Sequence, residues 1–395
     1  MNNRQLQPAI LIVDDEEDVL AVLHRDLAEW AEQRGVRIYT VGSGQEALRI
    51  LHDEYPDVVL VLSDLRMPGM NGADLLVRLY EEYPDVGTIL ITAYSDMDQI
   101  TRAVSSSMLG LIQKPWKPVK LRQEVTRAYT YVQERRDRDQ RNRELTAQLE
   151  MAGAFQRAAM GTTLPDDPRS TFEVLSRPMH GMHVTGDFSE ILRVDPDRYL
   201  LLVGDAAGHG IRAALLSGML TMILREYAGV ENGDLGDPTK VLERLNRGMH
   251  EHLPPDSGMI AACSVAVVDL ARQQAQIANA GNPAVFIVGG EDHAVSAVLS
   301  PALGISPETW YDTETVPIEA NHRVVLFSDG LFTRSDSSGT QMSRHKIGTI
   351  LQGAHRSASF GDSVLRLITA DRILQGYPTV PLFSDDLTIV SMAVR

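Results

Sequence analysis

Aspartates recur at the ends of short apolar runs in this chain, and they fall into two separate groups. The first group lies in the amino-terminal third, together with a threonine and a lysine: Asp14, Asp15, Asp64, Thr92 and Lys114. The second group lies in the strings TGDF, GDAAGHG, FSDG and SDDLT: Asp187, Asp205, Asp329 and Asp385. Carboxylates that meet at strand ends repel one another unless a cation joins them. The pattern predicts two domains, one with a site suited to receiving a phosphoryl group and one with a site suited to hydrolysing a phosphate ester.

Composition and charge narrow the class of protein. The 395 residues are 44% hydrophobic and 23% charged, which is enough for two or three buried cores. The net charge of −16 argues against a nucleic-acid partner, because the phosphate backbone would be repelled. The single cysteine, Cys263, excludes an intrachain disulfide and favours a reducing compartment. No apolar run approaches a membrane span and MNNRQLQP lacks the apolar stretch of a signal peptide, so we expect a cytoplasmic protein with no membrane partner.

The amino-terminal region alternates short apolar runs with amphipathic segments. The candidate strands are residues 9 to 13, 36 to 41, 57 to 64, 87 to 93 and 109 to 113. Continuous apolar strands joined by helices predict a doubly wound, five-stranded parallel sheet that is covered on both faces. Functional groups gather at the carboxyl ends of such strands, which is where the first group of aspartates falls. Hard oxygen ligands suit Mg2+, so one carboxylate would act as nucleophile beside the metal.

Four strings in this region, VDDE, DLRMPGMNG, ITAYS and QKPW, resemble the receiver domain of two-component response regulators over residues 8 to 131. The resemblance implies that Asp64 accepts a phosphoryl group from a sensor histidine kinase. It implies a Mg2+ site and two switch residues: ligands Asp14, Asp15, Asp64 and the Arg66 carbonyl, and switch residues Thr92 and Lys114. Leu111 stands where receivers usually carry Tyr or Phe, which argues against an aromatic rotamer switch.

Residues 119 to 160 predict one long helix, because the stretch lacks glycine and proline until Gly153. Apolar residues recur at three- and four-residue steps: Leu121, Val125, Ala128, Val132, Leu145, Leu149, Ala152, Phe155 and Ala159. Arg135, Asp139 and Asn142 interrupt the seam with polar positions. A dimerising coiled coil that makes the protein a homodimer is one interpretation, and a solvated interdomain helix is the other.

Residues 161 to 395 change in character. Strand-like runs at hairpin spacing, with a pair of apolar-faced helices inserted, predict an α+β sandwich of largely antiparallel sheets flanked by helices. The second group of aspartates lies at the ends of these runs, beside glycines or a second acid. Oxygen-only ligation favours a pair of Mg2+ or Mn2+ ions, about 3.5–4 Å apart, over zinc.

The strings TGDFSE, VGDAAGHGIRAALLSGML, IANAGNP, PALGIS, RVVLFSDGLFTR and SDDLTIV resemble the SpoIIE/RsbU branch of the protein phosphatase 2C superfamily over residues 147 to 395. The helix sequence QLEMAGAFQRAAMGTTLP likewise resembles the helix that precedes RsbU-type phosphatase domains. The resemblance implies that Asp205 bridges two metals and that the Ala206 carbonyl completes one site. The other metal would be held by three carboxylates, with Asp386 as the alternative to the last if the pairing slips by one: Asp187, Asp329 and Asp385.

Three departures from the family pattern and one histidine bear on this interpretation. Thr185-Gly186 replaces a glycine pair, Ser189-Glu190 replaces Tyr-Asp, and the family's AGHNP is shortened to AGNP at residues 280 to 283. None of these departures removes a metal aspartate. His209, between two glycines before a helix, is more often a turn or packing residue than a catalytic acid.

The two resemblances together imply a response regulator whose Asp64 phosphorylation controls dephosphorylation of phosphoserine or phosphothreonine on a partner protein. The implied partner is a phosphorylated anti-sigma-factor antagonist of a stress response, whose dephosphorylated form binds the anti-sigma factor and frees a sigma factor. The alternative is an RssB-like adaptor of the same architecture, which holds a sigma factor for proteolysis and hydrolyses nothing. Retention of all four metal aspartates favours the enzyme.

Overall fold

The computed structural model describes residues 7–54, 57–93, 108–179, 181–229, 234–289, 293–331, 342–374 and 385–395. The chain divides into two compact units, Met1–Thr146 and Ala147–Arg395. Over the described ranges, no helix combines the length and the apolar character that crossing a membrane requires.

The amino-terminal unit is built on a five-stranded parallel sheet of order β2-β1-β3-β4-β5, which confirms the predicted fold class. Its strands are β1 (Ala9–Val13), β2 (Arg37–Val41), β3 (Val58–Asp64), β4 (Gly87–Thr92) and β5 (Met108–Gln113). Its helices are α1 (Glu17–Arg34), α2 (Gly44–Glu54), α3 (Gly72–Glu82) and the start of α4 (Pro118–Ala159).

Alternate residues of each central strand face opposite sides of this sheet. Ile10 and Ile12 of β1 join one cluster with residues of α1 and α4, whereas Leu11 and Val13 join a second cluster with residues of α2 and α3. Every residue of β1 is fully buried. The continuous apolar strands are therefore explained by helices on both faces.

The first half of the predicted apolar seam of α4 is buried in the core of the amino-terminal unit. Leu121, Val125, Ala128 and Val132 are at most 3% exposed, because they pack against the sheet. These residues are not available as a coiled-coil seam between two copies. Farther along the helix Leu145 is 53% and Phe155 is 74% exposed.

The carboxy-terminal unit is a sandwich of two five-stranded antiparallel sheets, as predicted. The first sheet has the order β13-β10-β9-β8-β7: β7 (Asp187–Arg193), β8 (Arg198–Ala206), β9 (Ala261–Asp269), β10 (Gln274–Ala280) and β13 (Thr313–Pro317). The second has the order β12-β11-β14-β15-β6: β6 (Ser170–Arg177), β11 (Phe286–Val288), β12 (His293–Val295), β14 (Arg323–Phe327) and β15 (Leu387–Val394).

Helices cover the outer faces of the sandwich. They are α5 (Ile211–Gly229) and α6 (Pro238–His252) on the first sheet, and α7 (Arg344–Ala354) and α8 (Phe360–Leu374) on the second. In β8, Leu201 and Val203 face the interior between the sheets, whereas Leu200 and Leu202 face α5 and α6. The pairing of β7 with β8 and of β14 with β15 sets which strand ends lie side by side, and the acidic residues lie at these ends.

Candidate functional sites

The first acidic site lies at the carboxyl edge of the parallel sheet. Asp14 follows β1, Asp64 ends β3 and Lys114 follows β5, so the strand order brings the three together. Lys114 Nζ lies 2.9 Å from Asp14 Oδ2 and 2.6 Å from Asp64 Oδ1. The ammonium group therefore stands between the two carboxylates that the sequence assigned to the phosphoacceptor site.

Backbone groups orient both carboxylates. The Glu16 N–H donates to Asp14 Oδ1 at 3.0 Å, and the Arg66 N–H donates to Asp64 Oδ2 at 2.7 Å. Gly72 packs against the carbonyl of Asp64 so closely that any side chain there would collide with it. Glycine is therefore required at this position of the string NGADL, because a side chain would clash with the backbone of Asp64.

The other predicted residues of this site differ in exposure. Thr92 ends β4, is 3% exposed and donates through Oγ1 to the Ala93 carbonyl, whereas Asp15 is exposed. Leu111 is half-buried against the cluster of Leu65 and Leu90. The peptide bond between Lys114 and Pro115 is cis.

Burial and charge act in opposite directions on this site. Burial raises the pKa of Asp64, although the hydrogen bond from Lys114 counteracts it. Burial alone would lower the pKa of Lys114, but its hydrogen bonds to Asp64 and Asp14 outweigh burial and raise it. The charge of each group therefore favours the ionised form of the other.

The second acidic site lies at one edge of the sandwich. Asp187 begins β7 and faces Asp205 near the end of β8, because the two are Cα partners in the antiparallel ladder. Asp329 lies two residues after β14, and Asp385 lies two residues before β15, the strand that pairs with β14. Four aspartates that are far apart in sequence thus converge from both sheets.

Ser328 links the two sheets at this edge. Its Oγ donates to Asp187 Oδ2 at 2.7 Å and accepts from the Thr388 N–H at 2.9 Å. The other carboxylate oxygen, Asp187 Oδ1, is buried and has no hydrogen-bond partner among the residues that the structure describes. Ser328 was not among the predicted site residues, although it directly precedes Asp329 in the string FSDG.

Asp385 and Asp386 differ in how their oxygens are used. Asp386 is 5% exposed, and it accepts from the Met179 N–H and the Gly186 N–H, both at 2.7 Å. Within the described ranges, Asp385 Oδ1 accepts one local hydrogen bond, at 2.8 Å from the Asp386 N–H. The side chain of Asp386 is therefore committed to the backbone between β6 and β7.

Mutual repulsion dominates the electrostatics of the second site after burial. Burial, followed by the charges of Asp187 and Asp329, raises the pKa of Asp205 to about 8. Burial also raises the pKa of Asp187 to about 7, against the hydrogen bond from Ser328. The pKa values of Asp329 and Asp385 are raised by partial removal from water and by neighbouring carboxylates, and the charge of exposed His209 opposes the rise at Asp385.

This donor set fits divalent cations in its chemistry. In the described ranges no group of three or more histidine, cysteine, aspartate or glutamate side chains stands ready to hold one ion. Mg2+, however, keeps several waters and commonly takes only one or two carboxylates from a protein. Among the described residues, Asp187 Oδ1 has no hydrogen-bond partner, and burial with neighbouring carboxylates raises the pKa values of Asp187 and Asp205. A bound cation would offset the repulsion between these carboxylates.

The shortened AGNP turn is a structural element of the core. Asn282 is 4% exposed, and its Nδ2 donates to Ser264 Oγ at 3.0 Å and to the Phe327 carbonyl at 3.3 Å. The Asn279 side chain bridges the turn by accepting from the Asn282 N–H at 2.9 Å. The turn therefore connects strands of both sheets beneath the acidic edge.

Comparison with known families identifies a matching domain family in each half of the chain. The family model described as Stage II sporulation protein E (SpoIIE) matches residues 195–395, and the response regulator receiver domain model matches residues 10–126. The SiaA-PP2C domain of Pseudomonas aeruginosa has a TM-score of 0.53 and 20% identity, covering 64% of this chain and 98% of that domain. That likeness shows a shared fold for the carboxy-terminal unit.

Curated relatives match one unit at a time. Phosphoserine phosphatase RsbU of Bacillus subtilis (strain 168) is 27% identical over 191 residues, 48% of this chain and 54% of that protein. Phosphoserine phosphatase RsbP of the same strain is 25% identical over 188 residues, 47% of this chain and 45% of that protein. Sporulation initiation phosphotransferase F, from the same strain, is 31% identical over 116 residues, 29% of this chain and 89% of that protein.

The chain thus spans about half the length of these two phosphatases. The order of the two domains is the one that the sequence motifs predicted. With half of its length matched by that family model and a receiver domain ahead of it, the chain belongs to the SpoIIE family.

Proposed function

We propose that this protein is a metal-dependent phosphatase for phosphoserine or phosphothreonine on a partner protein, under the control of Asp64 phosphorylation. One observation carries the proposal: Asp187, Asp205, Asp329 and Asp385 converge at one edge, where burial first and neighbouring carboxylates second raise the pKa of each. A cluster of this kind is costly for the fold unless cations occupy it. The names of RsbU and RsbP, phosphoserine phosphatases, support the reaction class.

The resemblance to the phosphatase family indicates which residues would hold two Mg2+ or Mn2+ ions. Asp205, at the centre of the repulsion, would contact both ions, and the Ala206 carbonyl would complete one site. Asp187, Asp329 and Asp385 would serve the other. A divalent pair supplies an activated water for attack on a phosphate ester when bound. Ser328 orients Asp187 by donating to its Oδ2, and within the described ranges Oδ1 accepts no hydrogen bond that a metal would have to displace.

Asp385 is the better candidate of the neighbouring acids. The two oxygens of Asp386 already accept backbone hydrogen bonds across 207 and 200 residues of sequence. A metal at Asp386 would have to break at least one of them. We therefore assign Asp386 to holding the segment before Asp187, and Asp385 to the metal.

In the receiver unit, Asp64 would attack a phosphoryl donor, with a sensor histidine kinase as the physiological source. Asp14, Asp15 and the Arg66 carbonyl would hold Mg2+ with Asp64. Lys114, already paired with Asp64 at 2.6 Å, would pair with the incoming phosphoryl oxygens, and Thr92 would donate its hydroxyl. Accepting phosphate therefore requires Lys114 to exchange one anion for another.

The partner that we propose is a phosphorylated anti-sigma-factor antagonist in the cytoplasm, so that dephosphorylation indirectly frees a sigma factor. A homodimer through the linker helix belongs to the same proposal, and of the predicted seam it would use Leu145 and Phe155, which are exposed in the second half of α4. An adaptor that binds a sigma factor without hydrolysis is the competing function.

The test is hydrolysis of a phosphoserine peptide by the full-length protein, with Mn2+, with Mg2+ and with chelator. We expect turnover with either metal, none with chelator, and a loss of at least 100-fold, or about 2.7 kcal/mol, in Asp385→Asn. Asp386→Asn should retain more activity than Asp385→Asn. Sigma-factor binding without hydrolysis under any metal would favour the adaptor.

The receiver half is tested by labelling with radioactive acetyl phosphate in Mg2+. Wild-type protein should take up label and Asp64→Asn should not, because the nucleophile is gone. Equal labelling of the two would remove Asp64 from the proposal.

A further inference from the structure

The carboxyl-terminal end of α4, the linker helix, forms hydrogen bonds with the backbone segment that leads into the candidate phosphatase site. Gln156 of α4 donates through Nε2 to the Thr185 carbonyl at 2.7 Å and accepts through Oε1 from the Thr185 N–H at 3.0 Å. Its Nε2 also lies 3.3 Å from Ser217 Oγ of α5. Thr185 belongs to no strand or helix, and Gln156 pairs with both of its backbone polar groups, while Ser217 Oγ also donates to the Thr185 carbonyl at 3.3 Å.

Neighbouring residues of α4 hold the same segment. Gly153 is buried one turn earlier and packs so closely on His183 that a side chain there would collide with the His183 carbonyl. Arg157 donates to the same carbonyl at 3.4 Å. The helix thus contacts residues 183 to 185 directly, through close backbone packing and hydrogen bonds.

From Thr185 the chain reaches the candidate metal ligands within two residues. Thr185 Oγ1 accepts from the Asp187 N–H at 3.0 Å, and the Gly186 carbonyl accepts from the Ala206 N–H at 3.1 Å. The Gly186 N–H donates to Asp386. A displacement of Thr185 would therefore move Asp187 and the Ala206 peptide together.

We infer that Gln156 is a positioning residue: its side-chain amide sets where residues 185 to 187 lie, and so how well Asp187 and Ala206 can hold divalent ions. This inference rests on the proposed function, because it concerns the metal ligands of that reaction. Gln156 contacts neither metal nor substrate. It makes the last two turns of α4 part of the support of the site, so that a change in the helix alters metal affinity.

Two substitutions separate the amide from its neighbours. Gln156→Glu keeps the shape but cannot donate to the Thr185 carbonyl, and Gln156→Met removes both hydrogen bonds without adding charge. Gln148→Glu is the matched control, because it makes the same change at an exposed position of the same helix. Gln156→Met serves as the second variant if the buried charge of Gln156→Glu prevents folding.

The measurement is Mn2+ binding to the full-length protein by calorimetry, together with phosphatase activity as a function of Mn2+. We expect the Mn2+ midpoint to rise about tenfold or more in the Gln156 variants, the range typical of residues that orient metal ligands. The control should keep the wild-type midpoint. At saturating Mn2+ the kcat of the variants should recover toward wild type, which a general folding defect would not allow.

Equal Mn2+ midpoints in wild type and in folded Gln156 variants would overturn the inference and leave the proposed function standing. A fall in kcat that saturating Mn2+ does not restore would also overturn it. If wild-type protein binds no Mn2+, the proposed function and the inference fail together.

Discussion

Asp205 is the residue at which repulsion in the carboxy-terminal site is concentrated. Its pKa of about 8 lies far above the ordinary value of 3.8, because burial and the charges of Asp187 and Asp329 all disfavour its ionised form. The unfolded chain releases that proton near pH 4, whereas the metal-free fold retains it until about pH 8. Ionisation of Asp205 therefore lowers the stability of the metal-free fold progressively as the pH rises through this window.

We predict that Asp205→Asn stabilises the metal-free protein while abolishing phosphatase activity. The gain should grow from pH 5 to pH 8 and reach on the order of 1–3 kcal/mol, since one amide relieves only part of a shared repulsion. Thermal unfolding in chelator at both pH values measures it. Added Mn2+ should raise the unfolding temperature of wild type more than that of the variant. A variant that is less stable than wild type in chelator at pH 8 would contradict this electrostatic account.

Among elements, the end of α4 is fixed by an arginine from α5. Arg225 Nε lies 2.6 Å from Glu190 Oε1 of β7, and its two other nitrogens donate to the Ala159 and Gly161 carbonyls at 2.6 and 3.0 Å. The Glu190 side chain is 3% exposed, so burial raises its pKa although Arg225 opposes the rise. One side chain thus compensates a buried charge and completes the helix end.

We predict that Arg225→Met costs about 2–4 kcal/mol of unfolding free energy at pH 8, because it leaves Glu190 buried without its partner. The deficit should shrink at pH 5, since a carboxyl with a raised pKa regains stability when it is protonated. Urea unfolding measures both values, and adding Glu190→Gln should restore part of the loss.

The matched control is Arg244→Met. Its partners Glu226 and Glu251 are 71% and 49% exposed, at 3.8 and 3.3 Å. Such a surface pair should contribute less than about 1 kcal/mol. A similar, pH-independent loss in both variants would show that Arg225 acts only through its packing.

Elements were more predictable from the sequence than the contacts between them. All five parallel strands were expected within one residue of their observed bounds, because period and continuous apolar character are local signals. The acidic edges followed from strand ends. The pairing of Gln156 with Thr185, across 29 residues, and that of Arg225 with Glu190, across 35, have no local signal. They depend on how α4 and α5 pack, which the sequence pattern alone does not specify.

The apolar seam of α4 was predictable from the sequence, but the surface that covers it was not. Three- and four-residue spacing indicated an apolar stripe correctly, but the spacing does not say what covers the stripe. Val125 and Val132 pack on the sheet of their own unit. The same periodicity farther along the helix leaves Leu145 exposed.

At the scale of the whole molecule, α4 is the continuous element of the described chain that runs from one compact unit into the other. It begins at Pro118, and the division between units falls inside it, at Thr146 and Ala147. Its first turns are part of the receiver core and its last turns contact the segment before Asp187 through Gln156. If the state of Asp64 affects the phosphatase site, the helix is the physical route that both units share.

We predict that beryllofluoride, which mimics phosphorylated Asp64, changes the phosphatase rate of the full-length protein, and that Leu145→Pro abolishes the change. Proline at this position removes a hydrogen bond of the helix and breaks it at the division between units, while Leu145 is 53% exposed and belongs to neither core. Each unit should remain folded, and Asp64 should still accept phosphate. Leu145→Ala, which keeps the helix, is the control and should retain the response. A response that survives Leu145→Pro, or a wild-type rate that is indifferent to beryllofluoride, would reduce α4 to a spacer, because a broken helix cannot carry strain from the receiver core to Gln156.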